Sequence, residues 1–370
     1  MRRSIRRSIK VAIANDTLIA LSALRRVIAT DPTYDLIWTA KNGQEAVALC
    51  QQLPPDLVLM DLLMPGIDGV EATRQIMARS PCAILIVTAS LTQNMSKVFE
   101  AMGHGALDVV GTPTFGPLGR DVVTVSAAAP LLEKMATVST LVGKSARRGV
   151  VRPFTHPADS HQLTLPPLIV MGASTGGPKA LAKVLGGLSD ELPAGIVVVQ
   201  HIDKQFAEGF ASWLNEQTAL SVAVATSGDR IQPGKVLVAA TNEHLVMQRE
   251  RTLAYKAVEA PTPYRPSVDV FFSSVAQHWP RAGQAVLMTG MGRDGAAGME
   301  ILQTAGWHTI AESEASCVVY GMPRAAVEMG AARKILPVGA IASALVSGTR
   351  PRHSRLHRPD SGPRVEPRAK

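Results

Sequence analysis

Residues 168–180 read LIVMGASTGGPKA, and this stretch decides the fold of the half of the chain that contains it. The apolar run at its start predicts a buried parallel strand, and the apolar residues after the turn recur at helical spacing. Between strand and helix lies a G-x-S-x-G turn, in which Gly172 and Gly176 let the backbone bend sharply. Ser174 therefore stands beside the positive end of a helix. That position suits a nucleophilic hydroxyl, and it equally suits a bound phosphate.

Length and composition limit the classes of protein to which this chain can belong. Its 370 residues predict two domains, and 46% hydrophobic with 18% charged residues is typical of a globular protein. No apolar run approaches the roughly 18–20 residues of a membrane helix, so direct membrane insertion is not expected. The three cysteines are scattered without metal-ligand spacing, which predicts a cytoplasmic location. Much of the net charge of +8 lies in the two termini, so DNA binding is not expected.

The first half of the chain alternates short apolar runs with amphipathic helical stretches. This alternation predicts a parallel sheet with helices on both faces, the doubly wound arrangement of flavodoxin-like folds. Ligands bind such sheets at the carboxyl ends of the strands, where Asp16, Asp61 and Thr88 fall. Because two carboxylates with waters can hold Mg²⁺, Asp16 and Asp61 are the candidate metal ligands. The alternative is that both are ordinary solvent carboxylates at strand ends.

In the second half, three side chains capable of hydrolytic chemistry each follow a predicted buried strand: Ser174, His201 and Asp294. If these strands share one sheet, the imidazole of His201 can take a proton from Ser174 while Asp294 orients the ring. Backbone amides of the glycine-rich loop TGMGRDG, for example that of Met291, can face a developing oxyanion. The competing residues are His244, His278 and His308 for the base and Asp203, Asp229 and Asp269 for the acid.

A dinucleotide-binding dehydrogenase is another interpretation of the GASTGG turn. The turn lacks the G-x-G-x-x-G spacing, and none of Tyr255, Tyr264 and Tyr320 has a lysine four residues later. The order serine, histidine, aspartate along the chain also differs from that of α/β-hydrolases. The pattern therefore favours a hydrolytic triad on a different α/β fold.

The motifs DLVLMDLLMPGIDGVEA, VTAS and GALDVV resemble a response-regulator receiver domain over residues 9–125. The resemblance implies that Asp61 is the phosphoacceptor, that Asp16 and Asp61 bind Mg²⁺, and that Thr88 is the switch hydroxyl. The chain departs from the receiver pattern at two positions. Asn15 stands where receivers have an acid, and Thr112 stands where they have a lysine before a proline. The missing lysine removes one charge that would stabilise a phosphoaspartate.

Five separated motifs, MGASTGGPKAL, VVVQHI, PGKVLVAATNEHLV, RPSVDVFF and LMTGMGRDGAAGM, resemble the catalytic domain of CheB-type protein-glutamate methylesterases over residues 164–347. The resemblance implies an α/β fold with a mostly parallel sheet and a serine hydrolase without a cofactor. In it Ser174 is the nucleophile, His201 the base and Asp294 the orienting acid, while Thr175 and Met291 lie near the oxyanion. The implied substrate is a glutamate γ-methyl ester on the cytoplasmic helices of a methylated chemoreceptor, with glutamine deamidation as a related reaction. The implied phosphodonor for the receiver is a CheA-type histidine kinase.

Four segments follow from these motifs: a receiver domain at 9–125, a helix and flexible linker at 126–163, a catalytic domain at 164–347 and a disordered basic tail at 348–370. The N-terminal variant IAND, the motif MGHGALDVV and the missing lysine most resemble the branch of the family found in Wsp surface-sensing systems. The alternative function is a non-catalytic, receiver-linked docking regulator of a chemosensory complex. A DNA-binding regulator is not favoured, because no helix-turn-helix pattern follows the receiver.

Overall fold

The structure is a computed structural model that describes residues 8–89, 94–113, 128–129, 131–136, 165–241, 243–257 and 264–349. The predicted linker at 126–163 lies outside the described residues, apart from helical residues at 128–129 and 131–136. The predicted tail lies outside them from residue 350 onward. Within the described ranges, no helix combines the length and hydropathy needed to cross a membrane.

The first domain is a five-stranded parallel sheet with the order β2-β1-β3-β4-β5. Its strands are β1 (Ile9–Ala14), β2 (Tyr34–Ala40), β3 (Leu57–Met60), β4 (Ala83–Thr88) and β5 (Asp108–Gly111). Its helices are α1 (Leu18–Ile28), α2 (Gly43–Gln52), α3 (Gly69–Arg79) and α4 (Met95–Gly103). All four residues of β3 are buried because helices cover both faces of the sheet, which is why this strand is uniformly apolar in sequence.

The second domain contains a seven-stranded parallel sheet with the order β14-β13-β12-β6-β7-β9-β8. Its strands are β6 (Leu168–Ala173), β7 (Gly195–Gln200), β8 (Ser221–Val224), β9 (Lys235–Val238), β12 (Gln284–Leu287), β13 (His308–Glu312) and β14 (Lys334–Leu336). A separate antiparallel hairpin is formed by β10 (His244–Met247) and β11 (Leu253–Lys256). The helices are α5 (Gly177–Leu185), α6 (Lys204–Glu216), α7 (Val268–His278), α8 (Ala296–Thr304), α9 (Met322–Glu328) and α10 (Val338–Thr349).

The predicted fold class is confirmed, with a parallel sheet in each domain. Two elements at the end of the second domain, β14 and α10, were not predicted. Strand β14 has only three residues, and Lys334 and Ile335 are exposed, so it lacks the apolar run that marks a buried strand. Helix α6 begins at Lys204 because the Asp203 carboxylate accepts a hydrogen bond from the Gln205 amide and caps the helix.

The two domains pack through helix α4 of the first and helices α5 and α6 of the second. Phe99 of α4 is fully buried, with its ring centroid 5.1 Å from that of Phe210 and 5.4 Å from that of Trp213, both on α6. The side chain of Lys179, in the first turn of α5, lies against Gly103. The apolar cores of the two domains thus join into one cluster at α4.

Candidate active site

The turn that carries Ser174 joins β6 to α5 at the carboxyl edge of the sheet. Gly176 has a φ of 77°, a left-handed conformation that a residue with a Cβ rarely adopts. The carbonyl of Ser174 accepts hydrogen bonds from the Gly177 amide at 2.8 Å and from the side chain of Gln200 at 2.8 Å. Gly290 approaches so closely that a Cβ on it would lie 2.7 Å from the Cβ of Ser174. The turn is therefore held on both sides by neighbouring strand ends.

His201 and Asp294, the predicted base and acid, meet beside this turn. His201 follows β7, the strand next to β6, and its amide donates to the Ala173 carbonyl at 3.1 Å. Its Nε2 lies 2.7 Å from Oδ2 of Asp294. Its Nδ1 is buried and has no hydrogen-bond partner among the described residues. The carboxylate thus engages Nε2 and not Nδ1, which reverses the nitrogen assignment of the chymotrypsin template.

Asp294 belongs to the loop before α8, and its carboxylate lies at the N-terminus of α7. The hydrogen-bond donors there explain how this buried carboxylate stays ionised. It accepts hydrogen bonds from the Ser267 hydroxyl at 2.8 Å, the Val268 amide at 2.6 Å and the Asp269 amide at 3.1 Å. Burial alone would raise the pKa of Asp294, but the hydrogen bond and charge of His201, together with these donors, outweigh it and lower that pKa. The helix N-terminus adds to the same effect.

Three further residues lie around His201 and Asp294, and the sequence indicated only His244 among them, as a competing base. Tyr264 stacks on the His201 ring with a centroid distance of 4.6 Å and an interplanar angle of 13°. Its hydroxyl lies against Gly292 in the loop that follows β12. Ser267, the N-cap of α7, donates its amide to Nδ1 of the buried His244 at 3.2 Å. The sequence indicated no role here for Tyr264 and Ser267, because each reaches the site through folding of distant segments.

A second network fixes the position of the Ser174 turn, and it centres on Thr289. The Thr289 hydroxyl donates to the Thr175 carbonyl at 2.9 Å and accepts from the amides of Val318 and Val319. The Thr289 carbonyl accepts from the Ser174 amide at 3.0 Å. The Thr289 amide donates to the fully buried carboxyl of Glu312 at 2.8 Å. Burial raises the pKa of Glu312, and its hydrogen-bond donors only partly offset that effect.

The two predicted oxyanion residues lie in different loops at the carboxyl edge of the sheet. Thr175 is buried, directly after Ser174, and its carbonyl accepts a hydrogen bond from the Thr289 hydroxyl. Met291 is partly exposed in the loop between β12 and α8. This loop contacts the turn through Gly290, so the amides near Met291 are on the reactive side of the sheet edge.

A cleft of about 740 Å³ lies along the same edge of the sheet, and its lining includes Asp203, two residues after His201. The ends of β8 and β9, the start of α6 and the β10-β11 hairpin surround it. Gln205, Thr226, Thr241 and Tyr255 are also among its lining residues. The cleft provides a mixed polar and apolar surface on the β7 side of the Ser174 turn, away from the Met291 loop.

The residues predicted for the receiver site meet at the carboxyl edge of the first sheet. The Asn15 side-chain amide donates to Oδ2 of Asp61 at 2.8 Å, and Asn15 Oδ1 accepts from the Thr17 amide. Burial raises the pKa of Asp61 to about 6, with a smaller contribution from the charge of Asp16. Thr88 is buried at the end of β4, the strand next to β3. Two nearby hard oxygen ligands, on Asp16 and Asp61, fit a hydrated Mg²⁺.

Comparison with known proteins gives the same division of the chain into two parts. Residues 11–114 match the response regulator receiver domain family, and residues 169–345 match the CheB methylesterase family. A protein-glutamate methylesterase/protein-glutamine glutaminase of Burkholderia lata is 50% identical over 338 residues, covering 91% of this chain and 98% of the relative. One from Pseudomonas fluorescens is 49% identical over 337 residues, with the same coverage. The crystal structure of the Thermotoga maritima CheB methylesterase catalytic domain is 34% identical, covers 49% of this chain and 98% of that chain, and has a TM-score of 0.47. This chain therefore belongs to the CheB methylesterase family and carries a response regulator receiver domain at its N-terminal side.

Proposed function

We propose that this protein hydrolyses glutamate γ-methyl esters on the cytoplasmic helices of a methylated chemoreceptor and that phosphorylation of its receiver controls the reaction. The observation that carries the proposal is the 2.7 Å contact between His201 and Asp294 beside the Ser174 turn. The names of relatives at about half identity support the same activity and add glutamine deamidation. A docking regulator without activity would not need a buried carboxylate held in hydrogen-bonding distance of an imidazole.

The proposed reaction is a two-step acyl transfer. Nδ1 of His201 takes the proton of the Ser174 hydroxyl as its oxygen attacks the ester carbonyl carbon, and Asp294 stabilises the imidazolium through Nε2. Backbone amides near Thr175 and Met291 stabilise the oxyanion. The imidazolium gives its proton to the departing methanol, and a water activated by the same nitrogen then releases glutamate. With a glutamine substrate the leaving group is ammonia.

The cleft beside His201 is the proposed place for the polypeptide that carries the ester. An α-helix is about 10–12 Å across, so a receptor helix at Ser174 extends beyond the triad over neighbouring strand ends. The cleft lies over the ends of β8 and β9, on one side of the nucleophile. This arrangement supports a side chain on a protein helix, and not a small free ester, as the substrate.

In the receiver, Asp61 is the proposed phosphoacceptor for a CheA-type histidine kinase. Asp16 and Asp61 are the residues that would hold Mg²⁺, which neutralises charge on a phosphoryl group during its transfer. Asn15 contributes an amide donor to Asp61 where an acid would add a third negative charge. Thr112, in place of a lysine, leaves the phosphoryl group with one fewer cation and is expected to shorten the lifetime of the phosphorylated state.

The packing of α4 against α5 and α6 supports a gating role for the receiver. Helix α4 is the next helix after β4, whose last residue is Thr88, and α5 begins three residues after Ser174. A change at Asp61 that moves α4 therefore acts on the helix that carries the nucleophile turn. Phosphorylation is proposed to loosen this interface and raise activity.

The finer placement within the family is also a proposal. The sequence IAND, the motif MGHGALDVV and the position of Thr112 support a likeness to WspF, the CheB homologue of Wsp surface-sensing systems, which control a cyclase that makes cyclic-di-GMP. The two departures from the receiver pattern, Asn15 and Thr112, lie at or near the phosphoacceptor. The proposed feature that separates this branch is therefore the phosphorylation chemistry of its receiver. The proposed receptor is accordingly of the surface-sensing type.

The test is release of methanol from a methylated receptor fragment, by wild type and by Ser174→Ala, each with and without a small phosphodonor. Release that disappears in Ser174→Ala and rises with phosphodonor in wild type is the expected result. Ser189→Ala, an exposed serine of the same domain, is the matched control and should behave as wild type. Equal release by Ser174→Ala would contradict the nucleophile, and no release by wild type would favour the docking regulator.

A further inference from the structure

Helices α7 and α8 meet at their N-termini, where a carboxylate beside each helix accepts hydrogen bonds from backbone amides of the other. Asp294, which directly precedes the N-cap of α8, accepts hydrogen bonds from the amides of Val268 and Asp269 in the first turn of α7. In return, Asp269 of α7 accepts a hydrogen bond from the Gly298 amide in the first turn of α8 at 2.7 Å. Two N-terminal amides of α7 are therefore satisfied by an acid that precedes α8, and one N-terminal amide of α8 by an acid of α7.

The contact between these helices is close enough to transmit small displacements. A Cβ on Gly298 would lie 2.7 Å from the Cβ of Phe272 and 2.9 Å from the carbonyl oxygen of Asp269. Helix α8 is thus packed directly on the backbone of α7. Because Asp294 is joined to α8 through one glycine, its carboxylate moves with that helix. A shift of α8 changes the distance from Asp294 to His201.

The two carboxyl groups also interact by charge. Burial raises the pKa of Asp269 to about 7, and the negative charge of Asp294 adds to this effect. The pKa of Asp294 is instead held low by its donors, so Asp269 is the member of the pair that binds a proton first as pH falls. The other titratable or charged groups around the pair are His201, Tyr264, His244 and Arg265.

We propose that Asp269 is a positioning residue for hydrolysis, which fixes Asp294, and through it the His201 imidazole, by tying the first turn of α8 to that of α7. This inference rests on the proposed triad. The sequence offered Asp269 only as a competitor for the role of Asp294. The inference gives Asp269 a task of its own. Asp269 contacts neither the substrate nor the imidazole in this role.

The test measures kcat and KM for methanol release from the methylated receptor fragment with three variants of the full chain. Asp269→Ala removes the acceptor for Gly298 and is expected to lower kcat by about 10- to 100-fold with little change in KM, because small misplacements of catalytic groups cost this much. Asp269→Asn keeps an acceptor oxygen and should restore kcat close to the wild-type value. Asp56→Ala removes a receiver carboxylate that accepts from the Lys10 amide at 2.8 Å, and it serves as the control for loss of such a contact.

A second readout follows from the proton on Asp269. The pH profile of kcat should lose one ionisation near pH 7 in Asp269→Asn and keep it in Asp56→Ala. If Asp269→Ala does not fold, Asp269→Glu, which displaces the carboxyl group by one methylene, should also lower kcat. Wild-type kcat in folded Asp269→Ala, or a loss confined to KM, would overturn the inference while leaving the triad intact. An inactive wild type or an active Ser174→Ala would instead overturn the proposed function.

Discussion

At the scale of single residues, the site depends on polar groups whose partners all come from other parts of the chain. His201 and Asp294 are 93 positions apart, and Thr289 joins the Ser174 turn to the segment around Val318. Each of these groups is at least partly buried, so an unpaired partner carries the full desolvation cost. Single substitutions at these positions are therefore expected to affect both stability and rate.

Thr289→Val is expected to lower kcat and to reduce the free energy of unfolding by about 1–3 kcal/mol, because the isosteric change leaves the Thr175 carbonyl and two amides without their partner. Thr289→Ser should restore most of both quantities. The matched control is Thr304→Val, whose hydroxyl donates to the Glu300 carbonyl on the surface of α8. Denaturant unfolding and methanol release measure the two effects, and a fully active Thr289→Val would contradict a role for this network in the turn.

Asp61→Asn is expected to stabilise the protein above about pH 6. Burial raises the pKa of Asp61 to about 6 from an ordinary value of 3.8. Protonated Asp61 therefore adds to the free energy of unfolding below pH 3.8, and this contribution is lost as pH rises through 6. The asparagine variant does not ionise, so its free energy of unfolding should exceed that of wild type at pH 8 by about 1–2 kcal/mol, a value reduced for solvent screening because the group is partly exposed.

Denaturant unfolding of Asp61→Asn and wild type between pH 4 and pH 8 measures this difference. Asp35→Asn, an equal charge change at an exposed position of β2, controls for net charge. A stability difference that stays constant over this range would show that the carboxyl of Asp61 is not buried as described.

At the scale of elements, helix termini supply much of the site. The turn after β6 leads into α5, and the N-terminus of α7 holds Asp294. Ser267 does two tasks with one hydroxyl, since it donates to Asp294 at 2.8 Å and accepts from the Val270 amide as N-cap of α7. Asn42 performs only the capping task, at the start of α2 in the receiver.

This pair of caps gives a controlled comparison. Ser267→Ala and Asn42→Ala are each expected to reduce the free energy of unfolding by about 1 kcal/mol, the usual effect of removing a capping side chain. Only Ser267→Ala should also lower kcat, because only Ser267 contacts the carboxylate of Asp294. Thermal unfolding and methanol release measure both. Unchanged kcat in Ser267→Ala would mean that the backbone amides of α7 suffice to hold Asp294.

At the scale of the whole molecule, the domain interface is the proposed link between phosphorylation of the receiver and hydrolysis. Phe99 is its centre, fully buried against Phe210 and Trp213. Phe99→Ala removes this contact and is expected to lower the free energy of unfolding by about 3–5 kcal/mol, a loss that the interface and the receiver share. It should raise methanol release in the absence of phosphodonor and reduce the further increase that phosphodonor produces.

The control for Phe99→Ala is Leu24→Ala, a buried residue of α1 on the other face of the receiver sheet. It destabilises the receiver without touching α5 or α6. Equal activation by both variants, in proteins that unfold cooperatively above the assay temperature, would attribute the effect to receiver instability and not to the interface.

The local pattern of residues was sufficient for most of the architecture. Periodic apolar residues identified most of the strands and helices of both parallel sheets, and strand ends brought Ser174, His201 and Asp294 to one edge of a sheet, as predicted. The roles of these residues, and of Asp61, remain predictions. Strand β14 and helix α10 were missed. In the case of β14, a three-residue exposed strand carries too little apolar pattern to be recognised.

The sequence alone thus determined which chemical groups stand at the strand ends, because strand period and turn glycines are local properties. Only the tertiary structure decided which imidazole nitrogen Asp294 engages, how Ser267 and Asp269 hold that carboxylate, and that Thr289 supports the nucleophile turn. It also decided which face of α4 covers the second domain. These contacts join residues that are distant in sequence, and a hydrogen bond between such residues leaves no periodic trace in either segment.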